Sequence, residues 1–132
     1  MARKLEWQQV GVSSGPSFLS PGYITAKNSE LLFTSGCVGN DPKTGEYPVE
    51  VEEQAKNAME NLKTVLSAAS TSIDNVLKVL LFVSDGSYAP AVNKIYQEYF
   101  PGKPARSCIV VSFPDPKLKV ELECVAEIPE SK

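Results

Sequence analysis

The sequence predicts an α+β domain in which a mixed β-sheet carries two helices on one face, and three observations support that fold class. From about Val49 to Ala69 the residues Ala55, Ala58, Met59, Leu62, Val65, Leu66 and Ala69 recur at three- and four-residue steps, the spacing of an amphipathic helix. Val76 to Val83 is apolar apart from Lys78, as expected of a central strand covered on both faces. Near the end of the chain, 104–111 and 119–126 alternate with a period of two, which reads as a pair of strands.

Taken in order, the elements read β-β-β-α-β-α-β-β in a single domain spanning 1–132, with a first strand near Leu5 to Val10. Tyr23-Ile24-Thr25-Ala26 and Leu31-Leu32-Phe33-Thr34-Ser35-Gly36 flank Lys27-Asn28-Ser29, the pattern of a hairpin. Asn40-Asp41-Pro42-Lys43-Thr44-Gly45 is dense in turn residues and should be an exposed loop. The first long helix begins with Glu50, Glu52 and Glu53 at the positive end of its dipole. A second runs from Ser87, its expected N-cap, to Phe100; it buries Val92, Ile95, Tyr96, Tyr99 and Phe100, and Pro101-Gly102 stops it. Both helices cover one face of the sheet. No third layer is left in the sequence for the other face, so other copies of the chain are expected to cover it in a closed homo-oligomer.

Composition narrows the chemistry. The chain has 132 residues, 42% of them hydrophobic and 22% charged, which suits one soluble domain with its own core. A net charge of -3 argues against a general phosphate-binding surface, so nucleic acid is not an expected partner. No apolar run approaches the roughly 20 residues that span a bilayer, and Met1-Ala2-Arg3-Lys4-Leu5-Glu6-Trp7 lacks an apolar signal core. No membrane role is expected, and the expected address is cytoplasmic, with a mitochondrial pool left open. The three cysteines, Cys37, Cys108 and Cys124, are too far apart for a CxxC redox or zinc pattern and should be reduced thiols. Histidine is absent, which removes Ser-His-Asp triads, Cys-His dyads and HExxH zinc sites together. Proton transfer near neutral pH must then use a carboxylate, a thiol, a tyrosine, a lysine or water.

The two closing strands hold the unusual residues. In Pro104-Ala105-Arg106-Ser107-Cys108-Ile109-Val110-Val111, alternation sets Arg106, Cys108 and Val110 on one face and Ser107, Ile109 and Val111 on the other. In Lys119-Val120-Glu121-Leu122-Glu123-Cys124, the face shared by Val120, Leu122 and Cys124 leaves Glu121 and Glu123 together opposite. A sheet carrying a guanidinium, a thiol and two carboxylates implies that one face meets a cleft or a neighbouring chain. By itself Arg106 reads as an ordinary salt-bridged or exposed arginine, and Glu123 as part of a solvated strand face or a subunit contact.

In these residues the chain resembles the YjgF/RidA family. The densest agreement is Lys103-Pro104-Ala105-Arg106-Ser107-Cys108 with Val120-Glu121-Leu122-Glu123. Phe33-Thr34-Ser35-Gly36, Pro42-Lys43-Thr44-Gly45, Gln54-Ala55-Lys56-Asn57 and Val92-Asn93-Lys94-Ile95-Tyr96 support it. The resemblance implies a fold like that of Bacillus-type chorismate mutase, assembled as a homotrimer with sites in the clefts between subunits. It implies hydrolytic deamination of 2-imino and enamino acids such as 2-aminoacrylate, without metal or cofactor. In those terms Arg106 clamps the substrate carboxylate and Glu121 assists the attacking water. Ser35, Gly36, Cys108 and Asn93 match pocket-lining positions, although Asn93 and Tyr96, three apart on one helix face, read equally as packing with one surface amide. The family's Pro-Tyr-Ser-Gln segment aligns with Pro21-Gly22-Tyr23-Ile24, which nominates Tyr23 for the substrate side, one position late. Cys37-Val38-Gly39 and Phe113-Pro114 also depart from the family's usual residues. A non-catalytic trimer that binds small carboxylates is the alternative, and RNA cleavage, ascribed to some relatives, fits the acidic balance least.

Overall fold

The structure is a computed structural model that describes residues 2–130. Its strands are β1 (Arg3–Lys4), β2 (Tyr23–Ile24), β3 (Glu30–Phe33), β4 (Cys37–Val38), β5 (Val76–Val83), β6 (Ala105–Val110) and β7 (Val120–Ile128), with helices α1 (Val51–Ala68) and α2 (Ala89–Tyr99). Among the described residues the main sheet has the strand order β3-β7-β5-β6, with β4 also paired to β7. β6 runs parallel to β5, as a strand–helix–strand crossover through α2 requires, while β7 is antiparallel to β5, β3 and β4. The sheet is mixed, and both helices lie on one face.

Register fixes the two faces. Val79, Leu81 and Val83 of β5 stand beside Cys124, Leu122 and Val120 of β7, and all six are buried. Ala55, Ala58, Met59, Leu62 and Leu66 of α1 and Val92, Ile95 and Tyr96 of α2 pack over them. Each fully buried large aliphatic side chain contributes roughly 1.5–3 kcal/mol. Val65, which the apolar periodicity included, is 39% exposed instead. On the opposite face Leu80 and Phe82 of β5 are only half-buried. β5 is therefore central in the sheet but covered on one face within a chain, because this chain supplies one helical layer.

The N-terminal third differs most from the sequence expectation. The strand expected near Leu5 to Val10 does not form: the short strand β1 lies ahead of it at Arg3–Lys4, and Trp7–Val10 is a 3-10 turn. Gln9 accepts the Glu6 backbone N–H at 2.7 Å, and Gly11 closes the turn in the left-handed region at φ 86. The Lys27-Asn28-Ser29 turn forms, with the Ser29 N–H on the Ala26 carbonyl at 3.3 Å and Asn28 at φ 62. Its arms nevertheless part. β2 pairs with β1 and β3 pairs with β7, so no hairpin joins them. The longer ladder offered by β7 captures β3, and the Glu127 carboxylate on β7 accepts both the Ala26 N–H and the Ser29 hydroxyl. Ser87 is not the helix cap: Asp85 accepts the Ser87 N–H at 2.8 Å and starts a 3-10 turn ahead of α2.

Candidate active site

Arg106 sits on the edge strand β6 in register with Val79, so its side chain leaves the sheet on the helix-covered face. There the guanidinium carbon lies 4.4 Å from the centre of the Phe18 ring and 4.6 Å from that of Tyr96, held between two aromatic faces. Nε and Nη1 are buried and have no hydrogen-bond partner among the described residues. The Asn93 Oδ1 and the Tyr96 hydroxyl are buried and unpartnered as well. Burial pulls the guanidinium pKa below its ordinary value, against the opposing influence of Tyr96 and Cys108, and pushes the Tyr96 phenol well up. Arginine still keeps its proton in proteins. The result is a desolvated cation with open donors, an arrangement that costs stability until an anion fills it.

Several elements build this half. α2 presents Asn93 and Tyr96 one turn apart, and Tyr96 is fixed by stacking on Phe100 with ring centres 4.5 Å apart. Phe18 comes from the irregular segment before β2. That segment is tied to the N-terminal turn where Trp7 lies against Gly15, at which a Cβ would sit 2.2 Å from the indole. Cys108 shares the Arg106 face of β6 and is exposed.

Glu121 occupies β7 between Phe82 of β5 and Val38 of β4. Its carboxylate lies over Gly36, where a Cβ would come within 2.6 Å of Cδ, so any side chain there would push the carboxylate out of this position. Burial and then the neighbouring Glu123 push the Glu121 pKa above its ordinary value. Ser35 is exposed, and its carbonyl accepts the Cys37 thiol at 3.9 Å. Burial and Glu121 raise the Cys37 pKa, and Cys124 is pushed up to about 11, mainly by burial. Neither buried thiol is set up as a nucleophile.

The sequence-nominated residues thus fall into two groups. Arg106, Asn93 and Cys108 belong to the helix-covered side, whereas Glu121, Ser35 and Gly36 gather around the open face. Within one chain Arg106 and Glu121 lie on opposite faces of the sheet, because Arg106 is in register with buried Val79 and Glu121 with Phe82. Tyr23 joins neither group; its hydroxyl donates to the Gly102 carbonyl ahead of β6. The Pro-led aromatic segment beside the guanidinium is Pro16-Ser17-Phe18, not Pro21-Gly22-Tyr23. Phe18 and Tyr96 were not nominated. Tyr96 was signalled by its spacing from Asn93, whereas no signal was taken from the residues around Phe18.

Residues 20–128 match the family model described as Endoribonuclease L-PSP. The 2-iminobutanoate/2-iminopropanoate deaminase of Escherichia coli strain K12 is 30% identical over 121 residues, covering 89% of this chain and 94% of that protein. Reactive Intermediate Deaminase A, chloroplastic, of Arabidopsis thaliana is 32% identical over 129 residues, covering 96% of this chain and 69% of its own length. The crystal structure of E. coli TdcF with bound serine superposes with a TM-score of 0.69 at 31% identity, covering 95% of this chain and 98% of that one. With its mixed sheet, its two helices on one face and these matches along nearly its whole length, the chain belongs to the YjgF/RidA family.

Proposed function

We propose that the protein is a homotrimeric hydrolase of reactive 2-imino acids and their enamine tautomers, 2-aminoacrylate among them, which releases 2-keto acids and ammonia. The observation that carries this reading is the Arg106 guanidinium, clamped between Phe18 and Tyr96 with buried, unpaired donors. Such a cation matches a planar carboxylate, which its fixed array of N–H groups can grip in one orientation. The relatives support the reaction class: one is named for imino-acid deamination, and TdcF holds serine, itself a carboxylate.

In the reaction, Arg106 holds the substrate carboxylate and so fixes the neighbouring imine carbon. Water adds to that carbon while its proton passes to Glu121, whose raised pKa suits it to take and return a proton. Glu121 then returns that proton to the nitrogen, giving the neutral carbinolamine. The hydroxyl proton follows through the same carboxylate to the nitrogen, so that the C–N bond breaks, ammonia leaves and the oxygen becomes the keto group. Imine hydrolysis is intrinsically easy, so positioning and modest acid-base help suffice.

A second copy of the chain completes the site in this reading. The open sheet face exposes Phe33 at 70% and Ile109 at 46%, an apolar surface suited to a subunit contact in a trimer of the Bacillus chorismate mutase type. In this reading the open face of one subunit, with Glu121, meets the β6 edge of the next, where Arg106 lies. The alternative is a trimer that binds small carboxylates without turnover, favoured by the separation of Arg106 and Glu121 within each chain.

The deciding assay generates imines with an amino-acid oxidase and traps what remains unhydrolysed. The protein should lower the trapped fraction, and Arg106→Ala should not. No change on adding the protein, or full rate in Arg106→Ala, overturns the enzyme reading. Saturable binding of a 2-keto acid with no turnover would establish the binding module instead.

A further inference from the structure

One face of α1 carries an amide at Gln54, Asn57 and Asn61, spaced so that all three point the same way. None of them faces Arg106's surroundings; each is bonded to backbone that leads into or out of the strands around Glu121. Gln54 is 1% exposed, and both of its amide hydrogens and its carbonyl oxygen are bonded within the chain. Its Nε2 donates to the Pro48 carbonyl at 2.8 Å and the Lys117 carbonyl at 2.9 Å, and its Oε1 accepts the Lys119 N–H at 2.9 Å. It therefore behaves as a short piece of backbone, pairing with the chain just ahead of β7.

Asn61 does the same for the partner strand. Its Nδ2 donates to the Val38 carbonyl at 2.8 Å and the Asn40 carbonyl at 3.1 Å, and Val38 is the residue in register with Glu121. Asn57 adds a longer bond to the Gly39 carbonyl at 3.3 Å. The approach is close because Gly39 lacks a side chain: a Cβ there would sit 2.2 Å from the Gln54 carbonyl oxygen. Helix α1 thus grips β4, which lies beside the carboxylate, and the chain entering β7, which carries it.

We infer that Gln54 and Asn61 are positioning residues for Glu121, locking β4 and the start of β7 to α1 so that the carboxylate is held over Gly36 at the distance its proton transfer needs. This rests on the assignment of Glu121 as the water-activating group. The physical reason is precision. β4 has two residues and, among the described residues, pairs with β7 alone, too short a ladder to hold its own register, and misplacement by about 1 Å can cost on the order of a hundredfold in rate.

The test compares Gln54→Met and Asn61→Leu with wild type and Glu121→Gln in steady-state imine hydrolysis across pH. Asn61 is only half-buried, so its variant keeps the test alive if Gln54→Met does not fold. The expected result is a kcat lower by about tenfold or more, KM within about twofold, and a displaced acid limb, since substrate is gripped by Arg106 and only the acid-base partner has moved. A role in stability alone would lower the melting temperature and leave these constants unchanged in the folded protein. Unchanged kcat and pH profile in a folded variant, with Glu121→Gln inactive, overturns the inference. Full activity in Glu121→Gln overturns instead the assignment beneath it.

Discussion

On the helix-covered face of the sheet, Arg106 is a cation pressed between two aromatic rings with donors left open, whereas on the open face Glu121 is a half-buried anion set beside a second anion, Glu123. Burial disfavours the charge in both, lowering one pKa and raising the other. Neither relieves the other within a chain. The comparison teaches that each face bears a local cost a stability-driven sequence would avoid, and that the two costs are complementary: one side needs an anion, the other a proton or a cation.

The largest expected effect comes from breaking the cationic side. Arg106→Ala should lower kcat/KM by about a hundredfold or more, and Arg106→Lys should recover little, because an ammonium lacks the planar array of donors. Arg106→Met should do the same to rate without lowering the melting temperature, since it replaces a buried unpaired charge with a side chain of similar length. Kinetics and thermal melts on the same preparations check both halves of that statement.

Breaking the anionic side should cost about a hundredfold in kcat for Glu121→Gln and abolish the acid limb of the pH profile. In wild type that limb should lie above the ordinary carboxylate value of 4.5, because the carboxylate takes up its proton early as pH falls. Stability follows the same sign. The folded chain binds this proton more tightly than the unfolded one, so the contribution of Glu121 is fully present below the unfolded pKa and is lost as pH rises through the folded pKa. Glu121→Gln should therefore melt higher than wild type at neutral pH, and the difference should vanish near pH 4, as read by melts at the two pH values.

A mixing experiment sharpens the comparison further. Arg106→Ala and Glu121→Gln, each slowed by about a hundredfold or more alone, are unfolded together and reassembled. If each site takes its cation from one subunit and its carboxylate from another, roughly a quarter of randomly formed sites are intact and activity returns. If both groups came from one chain, none would return. The smallest effect belongs to Glu123→Gln: removing the second carboxylate should move the acid limb down by a fraction of a pH unit, and less at high salt.

Much of the scaffold was legible in the residues. The three- and four-residue recurrence marked α1 to within a few residues of Val51–Ala68, and the apolar run Val76 to Val83 is β5 itself. Alternation in β7 correctly separated Val120, Leu122 and Cys124 from Glu121 and Glu123, since all three are buried and both glutamates are half-exposed. These features are local, set by the period of one element against one core. The N-terminal elements were less legible because two-residue strands carry too little pattern to choose a partner.

By itself the sequence determined the two helices, the central strand and the sidedness of each closing strand, because hydrophobic periodicity needs only neighbours along the chain. Only the tertiary structure decided that Arg106 and Glu121 leave the sheet on opposite faces, that β3 joins β7 rather than β2, and that Phe18 covers the guanidinium. The reason is register: alternation orders residues within a strand, but pairing between strands sets which face they share, and a slip of one residue would reverse it.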